Sequence, residues 1–133
     1  MLRIIVTPTA EWEVTEAFEH LIEEAGLDVA DRFLAAFDET ARFLAAMPGV
    51  GRVREAKDPS AKGLRSWAVD GFPNYLVFYV PGAESLVVMR LLHGARDLRF
   101  ILDEDEDMVY RAPSELTDES FGYDDSDEGP KGG

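Results

Sequence analysis

Two sets of cations hold most of the chemistry that this chain could do. Arg52, Arg54, Lys57, Lys62 and Arg65 crowd one short stretch, and Arg90, Arg96 and Arg99 flank His93 in another. Guanidinium forks match the geometry of phosphate and carboxylate groups. An imidazole titrates near neutral pH and moves protons there. Both sets also read as solvated surface. Arg65 stands apart, because a charge interleaved with Trp67 and Val69 on a strand-like run needs a partner or a sheet edge. His93 also reads as a hydrogen-bonding group of the turn His93-Gly94-Ala95-Arg96-Asp97, in which Arg96 and Asp97 pair locally. Tyr75 and Tyr79 read as core aromatics, and Trp67 as a residue packed under a helix or a partner.

The other chemical signatures point away from cofactors. The chain holds no cysteine, which excludes disulfides and thiolate metal sites. It carries no GxGxxG, Walker loop, zinc-ligand spacing or Ser/His/Asp series. Glu16, His20 and Glu23 or Glu24 share helical spacing that a divalent ion could visit, but a solvated face explains them as well. No cofactor and no metal are expected.

Composition narrows the partners. The net charge is −14 over 133 residues. Residues 103–133 contain twelve acidic and two basic side chains, so −10 belongs to that tail and −4 to residues 1–102. Even without the tail the chain is not basic, which argues against tight general binding of DNA. No apolar run is long enough to cross a bilayer. The first residues lack a secretory pattern, and the cytoplasm is the expected compartment.

The elements that must position these groups follow from local signals. Leu2 to Thr7 is short and β-branched, a first strand. Thr7-Pro8 then offers an N-cap with proline at the first helical position. Trp12, Phe18, Leu21, Ile22 and Ala25 repeat at helical spacing up to Gly26. Asp28 is placed to cap a second helix whose stripe is Ala30, Phe33, Leu34, Phe37, Ala41 and Leu44. Met47 to Gly51 breaks it, and residues 52–61 read as an irregular basic connector. Three strand-like runs follow, at 64–69, 75–80 and 86–92, joined by turns at Asp70-Gly71 and Pro81 to Glu84. Residues 97–102 read as a short helical turn. The acidic remainder cannot bury enough apolar surface to offset its ordering entropy, so disorder is expected there. The reading is an α+β domain over 1–102, a helical hairpin on a small, mainly antiparallel sheet, with a tail over 103–133.

Strand parity tests whether the candidate groups converge. With tight turns, Val69 faces Asn74 and Val80 faces Ser85. Arg65, Trp67, Val69, Leu76, Phe78, Val87, Met89, Leu91 and His93 then share one face, and Ser66, Tyr75, Val77, Tyr79, Val88 and Arg90 the other. Arg65 and His93 would be six strand residues apart, roughly 20 Å, which is not a compact acid–base site.

The segments Gly63 to Trp67, Gly71 to Tyr79 and Leu91 to Leu98, in this order and spacing, resemble the toxins of the ParE/RelE superfamily, closest to the ParE-like branch, over roughly residues 2–102. The resemblance implies a type II toxin held by a cognate antitoxin in a hetero-oligomer. In ParE-like toxins the implied action is inhibition of a target such as DNA gyrase by protein–protein contact. Antitoxins of this kind bring acidic and apolar groups, so the implied contact residues are Arg52, Arg54, Lys57, Arg65, Trp67, Arg96 and Arg99. RelE-type relatives cleave mRNA on the ribosome with bases, hydrogen-bond donors and cations around the scissile phosphate. For that alternative the candidates are Arg65, Arg90, His93 and Arg96, with Tyr75 and Tyr79. Such nucleases carry an arginine near the start of the middle strand, where this chain has Pro73-Asn74-Tyr75. A third alternative is a non-toxic binding module on the same fold.

Overall fold

A computed structural model describes residues 1–56 and 59–97. Their order is β1 (Arg3–Val6), α1 (Pro8–Ala25), α2 (Leu27–Ala46), β2 (Arg52–Val53), β3 (Arg65–Val69), β4 (Phe72–Pro81) and β5 (Ser85–His93), with single 3-10 turns at Pro48–Val50 and Pro59–Ala61. The fold is α+β, as the pattern of elements predicts. Lys57, the expected turn from residue 98 onward, Arg99 and the acidic tail lie outside the described residues.

α1 starts where the local chemistry dictates. The Thr7 hydroxyl accepts from the Ala10 N–H at 3.1 Å, with Pro8 in the first turn. It also donates to the Met89 carbonyl at 3.1 Å, which ties the start of the helix to β5. Gly26 alone links α1 to α2, with φ +97°, and its N–H returns to the carbonyls of Leu21 and Ile22. This short link corrects the expected cap. Asp28 lies inside the first turn of α2, and Gly26 holds the cap position without a side chain.

The buried side of α1 is also rotated from the expected stripe. Ala10 and Ala17 are buried, with Val14 and Leu21 packed beside them, while Trp12 is 61% exposed. Small alanines let the helix approach the sheet closely, and the larger Trp12 is turned outward. α2 follows its predicted stripe more closely. Ala30, Phe33, Phe37, Ala41 and Leu44 are buried, Leu34 is partly exposed, and Thr40 joins the buried set. The Thr40 hydroxyl earns that place by accepting from the Asp70 N–H at 3.0 Å.

The five-stranded sheet runs β1-β5-β4-β3-β2. β1 is parallel to β5, and every other pair is antiparallel. The expected irregular connector contributes β2, which pairs Arg52 with Ser66 and Val53 with Arg65.

The register differs from the tight-turn expectation. Irregularities fall at Ala68/Val69 and at Phe78/Tyr79, so Arg65 pairs with Tyr79, Trp67 with Val77 and Tyr75 with His93. A bulge adds one residue to one strand and slips the pairing, which moves side chains to the other face. Tyr75 and Tyr79 therefore share a face with Arg65, Trp67 and His93. That face meets the helices: Val69, Tyr75, Val77, Tyr79, Leu86, Val88 and Leu91 pack with Phe33, Phe37 and Leu44. The Phe33 ring lies 5.3 Å from Phe72 and 5.0 Å from Tyr75. A smaller cluster of Leu64, Phe78 and Leu92 forms on the opposite side.

Candidate functional site

The first cation set is built around a loop. Arg65 donates through one guanidinium nitrogen to the carbonyls of Gly51 (2.7 Å) and Gly49 (3.1 Å). Beside it, the buried Tyr79 hydroxyl accepts from the Gly51 N–H and donates to the Pro48 carbonyl, both at 2.9 Å. Burial raises the Tyr79 phenol above its ordinary pKa, against the opposing effects of the Gly51 N–H and the Arg65 charge. Arg54 donates to the Ser66 hydroxyl at 2.9 Å and stacks 5.4 Å over the Phe78 ring. Arg65 and Tyr79 hold the chain between α2 and β2, while Arg52 and Lys62 are exposed.

The second set is divided between two tasks. Arg90 forms a forked pair with Glu13 of α1, with contacts of 2.7, 2.9 and 3.1 Å. The same carboxylate accepts from the Leu91 N–H at 2.9 Å. Glu13 thus locks α1 to β5, and its side chain is only 12% exposed. His93 and Asp97 close the turn after β5. The Asp97 carboxylate accepts from the His93 N–H at 2.7 Å, and His93 Nδ1 accepts from the Arg96 N–H at 3.0 Å. The Arg96 side chain is exposed and lies 3.9 Å from Asp97.

This arrangement decides what His93 does chemically. Burial first, then the charges of Arg96 and His20, lower its pKa to about 4. The ring is neutral at physiological pH, and with Nδ1 accepting, its proton sits on Nε2. It therefore presents a donor rather than a base. Tyr75 meets it edge-on at 5.0 Å. Burial raises the Tyr75 phenol, against the charge and hydrogen bond of Arg96.

The candidate residues do not assemble into one centre. Arg65 and His93 pair with Tyr79 and Tyr75 of β4, four residues apart, or about 13 Å of strand. They share a face, as the parity argument also had it, but the distance is shorter than the roughly 20 Å it implied. Arg90 is taken by Glu13. No group of three His, Asp or Glu residues among those described is arranged to hold a metal.

Two grooves lie beside these residues. One, of about 570 Å³, runs between α1 and the turn after β5, where Trp12, Glu16, Glu19, His20, Tyr75 and Arg96 meet. The other, of about 520 Å³, lies between α2 and β3 and contains Glu39, Phe43, Trp67 and Asp70. There the rings of Phe43 and Trp67 lie 5.7 Å apart. Sequence reasoning missed Glu13, Thr40, Phe43 and Gly51. Glu13 had a signal, an acid beside Val14 on the sheet side of α1, but its partner is far away in the sequence.

The chain matches the family model described as the ParE toxin of the type II toxin–antitoxin system parDE, over residues 4–98. Among solved structures it resembles a chain of the chromosomal ParDE TA system from P. aeruginosa, with a TM-score of 0.57 and 15% sequence identity, over 70% of this chain and 96% of that one. At that identity the likeness is one of fold. No curated protein matches it.

Proposed function

Because the chain belongs to the ParE toxin family of type II toxin–antitoxin systems, we propose that it arrests growth by protein–protein contact, with DNA gyrase as the target, and that a cognate antitoxin neutralises it in the cytoplasm. The observation that supports the first part is the engagement of three of the groups a nuclease could use, and their separation along the sheet from the exposed Arg96 or from one another. Arg90 is committed to Glu13, Arg65 to loop carbonyls, and Nδ1 of His93 to the Arg96 N–H. Proton transfer to and from a scissile phosphate requires a free base and a free cation within reach of one atom. A binding surface has no such requirement. The antitoxin half of the proposal draws on the family and on exposed Arg52 and Arg96, with the Phe43–Trp67 groove as an apolar seat. Expression in a growing host separates the mechanisms. The proposal expects growth arrest with lost supercoiling and intact mRNA. Codon-spaced mRNA cleavage with normal supercoiling would replace it with a nuclease, and normal growth with a binding module.

A further inference from the structure

In the groove between α2 and β3, two aromatic rings reach solvent. Phe43 is 40% exposed, Trp67 is partly exposed, and their rings meet at 5.7 Å with a tilt of 37°. Glu39 of α2 and Asp70 after β3 line the same groove, and both are exposed. Neither carboxylate forms an ion pair among the described residues. Aromatic rings with two carboxylates beside them suit an aromatic side chain that is followed by a cation. The tail contains one such segment. Residues 108–116, Met-Val-Tyr-Arg-Ala-Pro-Ser-Glu-Leu, carry one basic and one acidic side chain, so they are neutral inside a tail of charge −10. Acidic runs flank them at 103–107 and 118–119, and Arg111 directly follows Tyr110. The other cation of the tail, Lys131, has only glycine and proline beside it.

We propose that this segment of the chain itself occupies the groove, with the Tyr110 ring against Phe43 and Trp67 and the Arg111 guanidinium on Glu39 and Asp70. The inference goes beyond the toxin reading and does not rest on it. The place where the described residues end supports it. Asp97 closes the turn after β5, where the Gly94 N–H donates to the Asn74 carbonyl at 2.6 Å, next to Pro73 of the groove. Through β4, His93 lies two strand spacings and two residues from Trp67, roughly 12 Å. Tyr110 is thirteen residues beyond Asp97, and a flexible link of that length spans on the order of 20 Å. Phe100, three residues beyond Asp97, reaches about 10 Å at full stretch and falls short of the rings. Tethering gives the segment an effective concentration of about a millimolar, so a weak contact is populated. The acidic runs on either side are repelled by Glu39 and Asp70, and the neutral segment is not. A partner that takes the same groove must displace it.

The test uses the full chain labelled with nitrogen-15. The chain has no cysteine, so Ser114→Cys gives a single thiol for a nitroxide spin label, which broadens the signals of nearby nuclei. The two tryptophans, Trp67 in this groove and Trp12 in the groove beside α1, report separately through their indole N–H signals. Docking should remove most of the Trp67 indole intensity and spare Trp12, and reducing the nitroxide should return it. Tyr110→Ser should abolish the selective loss. Arg111→Glu should weaken it, and adding Glu39→Lys should reverse that weakening. The tail substitutions lie outside every described element, and an unchanged spectrum elsewhere shows that the fold is kept. Equal broadening of both indoles, selective broadening of Trp12, a Trp67 loss that survives Tyr110→Ser or Arg111→Glu, or no reversal by Glu39→Lys would overturn the inference. So would broadening caused by a separate spin-labelled chain, which would assign the groove to the tail of a second copy. Growth arrest judges the toxin reading separately, so either can fail without the other.

Discussion

Tyr79 is fully buried, and its hydroxyl serves both a donor and an acceptor of the loop before β2. Tyr79→Phe strips a partner from the Gly51 N–H and the Pro48 carbonyl while keeping the ring. It should cost about 2 kcal/mol, because buried polar groups are left unpaired, and urea unfolding will measure it. Gly51 is small for the same reason: a Cβ there would collide with the Tyr79 hydroxyl and lie 2.8 Å from the Ser66 carbonyl oxygen. His93 predicts a pH dependence. Its folded-state pKa of about 4 lies below the ordinary 6.5, so between these values the unfolded chain binds the proton more readily than the folded one. The His93 contribution to stability is complete above about pH 6.5 and is lost as pH falls to about 4. His93→Gln should flatten the stability profile in that window relative to the parent. Parallel profiles for the two proteins would refute the assignment.

At the scale of elements, α1 is fastened to the sheet at both its start and its second turn. Thr7 reaches Met89, and Glu13 takes Arg90 and Leu91. Glu13→Ala removes the forked acceptor and strands the Leu91 N–H. It should cost about 2 kcal/mol, read as a lower urea midpoint with an unchanged slope. β2 and its approach depend on Arg65 in the same way. Arg65→Glu should therefore destabilise the fold as well as change the surface, whereas Arg52→Glu, on an exposed side chain, should leave the melting temperature unchanged and report only on partner binding. If Arg52→Glu left antitoxin affinity unchanged at low salt, the interface would lie away from β2. The helices themselves were legible locally. Thr7-Pro8 and Gly26 bound α1, and the period of Phe33, Phe37, Ala41 and Leu44 identified the buried side of α2. The turn of α1 was not, because Trp12 and Ala10 compete for the sheet and only the packed distance between helix and strands selects the smaller residue.

For the molecule as a whole, the family match ends at residue 98, close to where the amphipathic elements end in the sequence. Truncation after Asp103 should leave cooperative thermal unfolding nearly unchanged, and a loss of cooperativity would join the tail to the core. The sequence by itself determined the α+β class, the helical hairpin, the three-stranded meander and the likeness to toxins of this family. Each of these rests on short-range signals: caps, periods, turn residues and motifs a few residues long. It did not determine which cations were free. That depended on two slips of register, at Ala68/Val69 and Phe78/Tyr79, and on a carboxylate 77 residues from its arginine. A bulge of one residue reverses which face a side chain joins. The tertiary structure alone therefore decided that Tyr79 stands beside Arg65, that Tyr75 stands beside His93, and that Arg90 is held by Glu13.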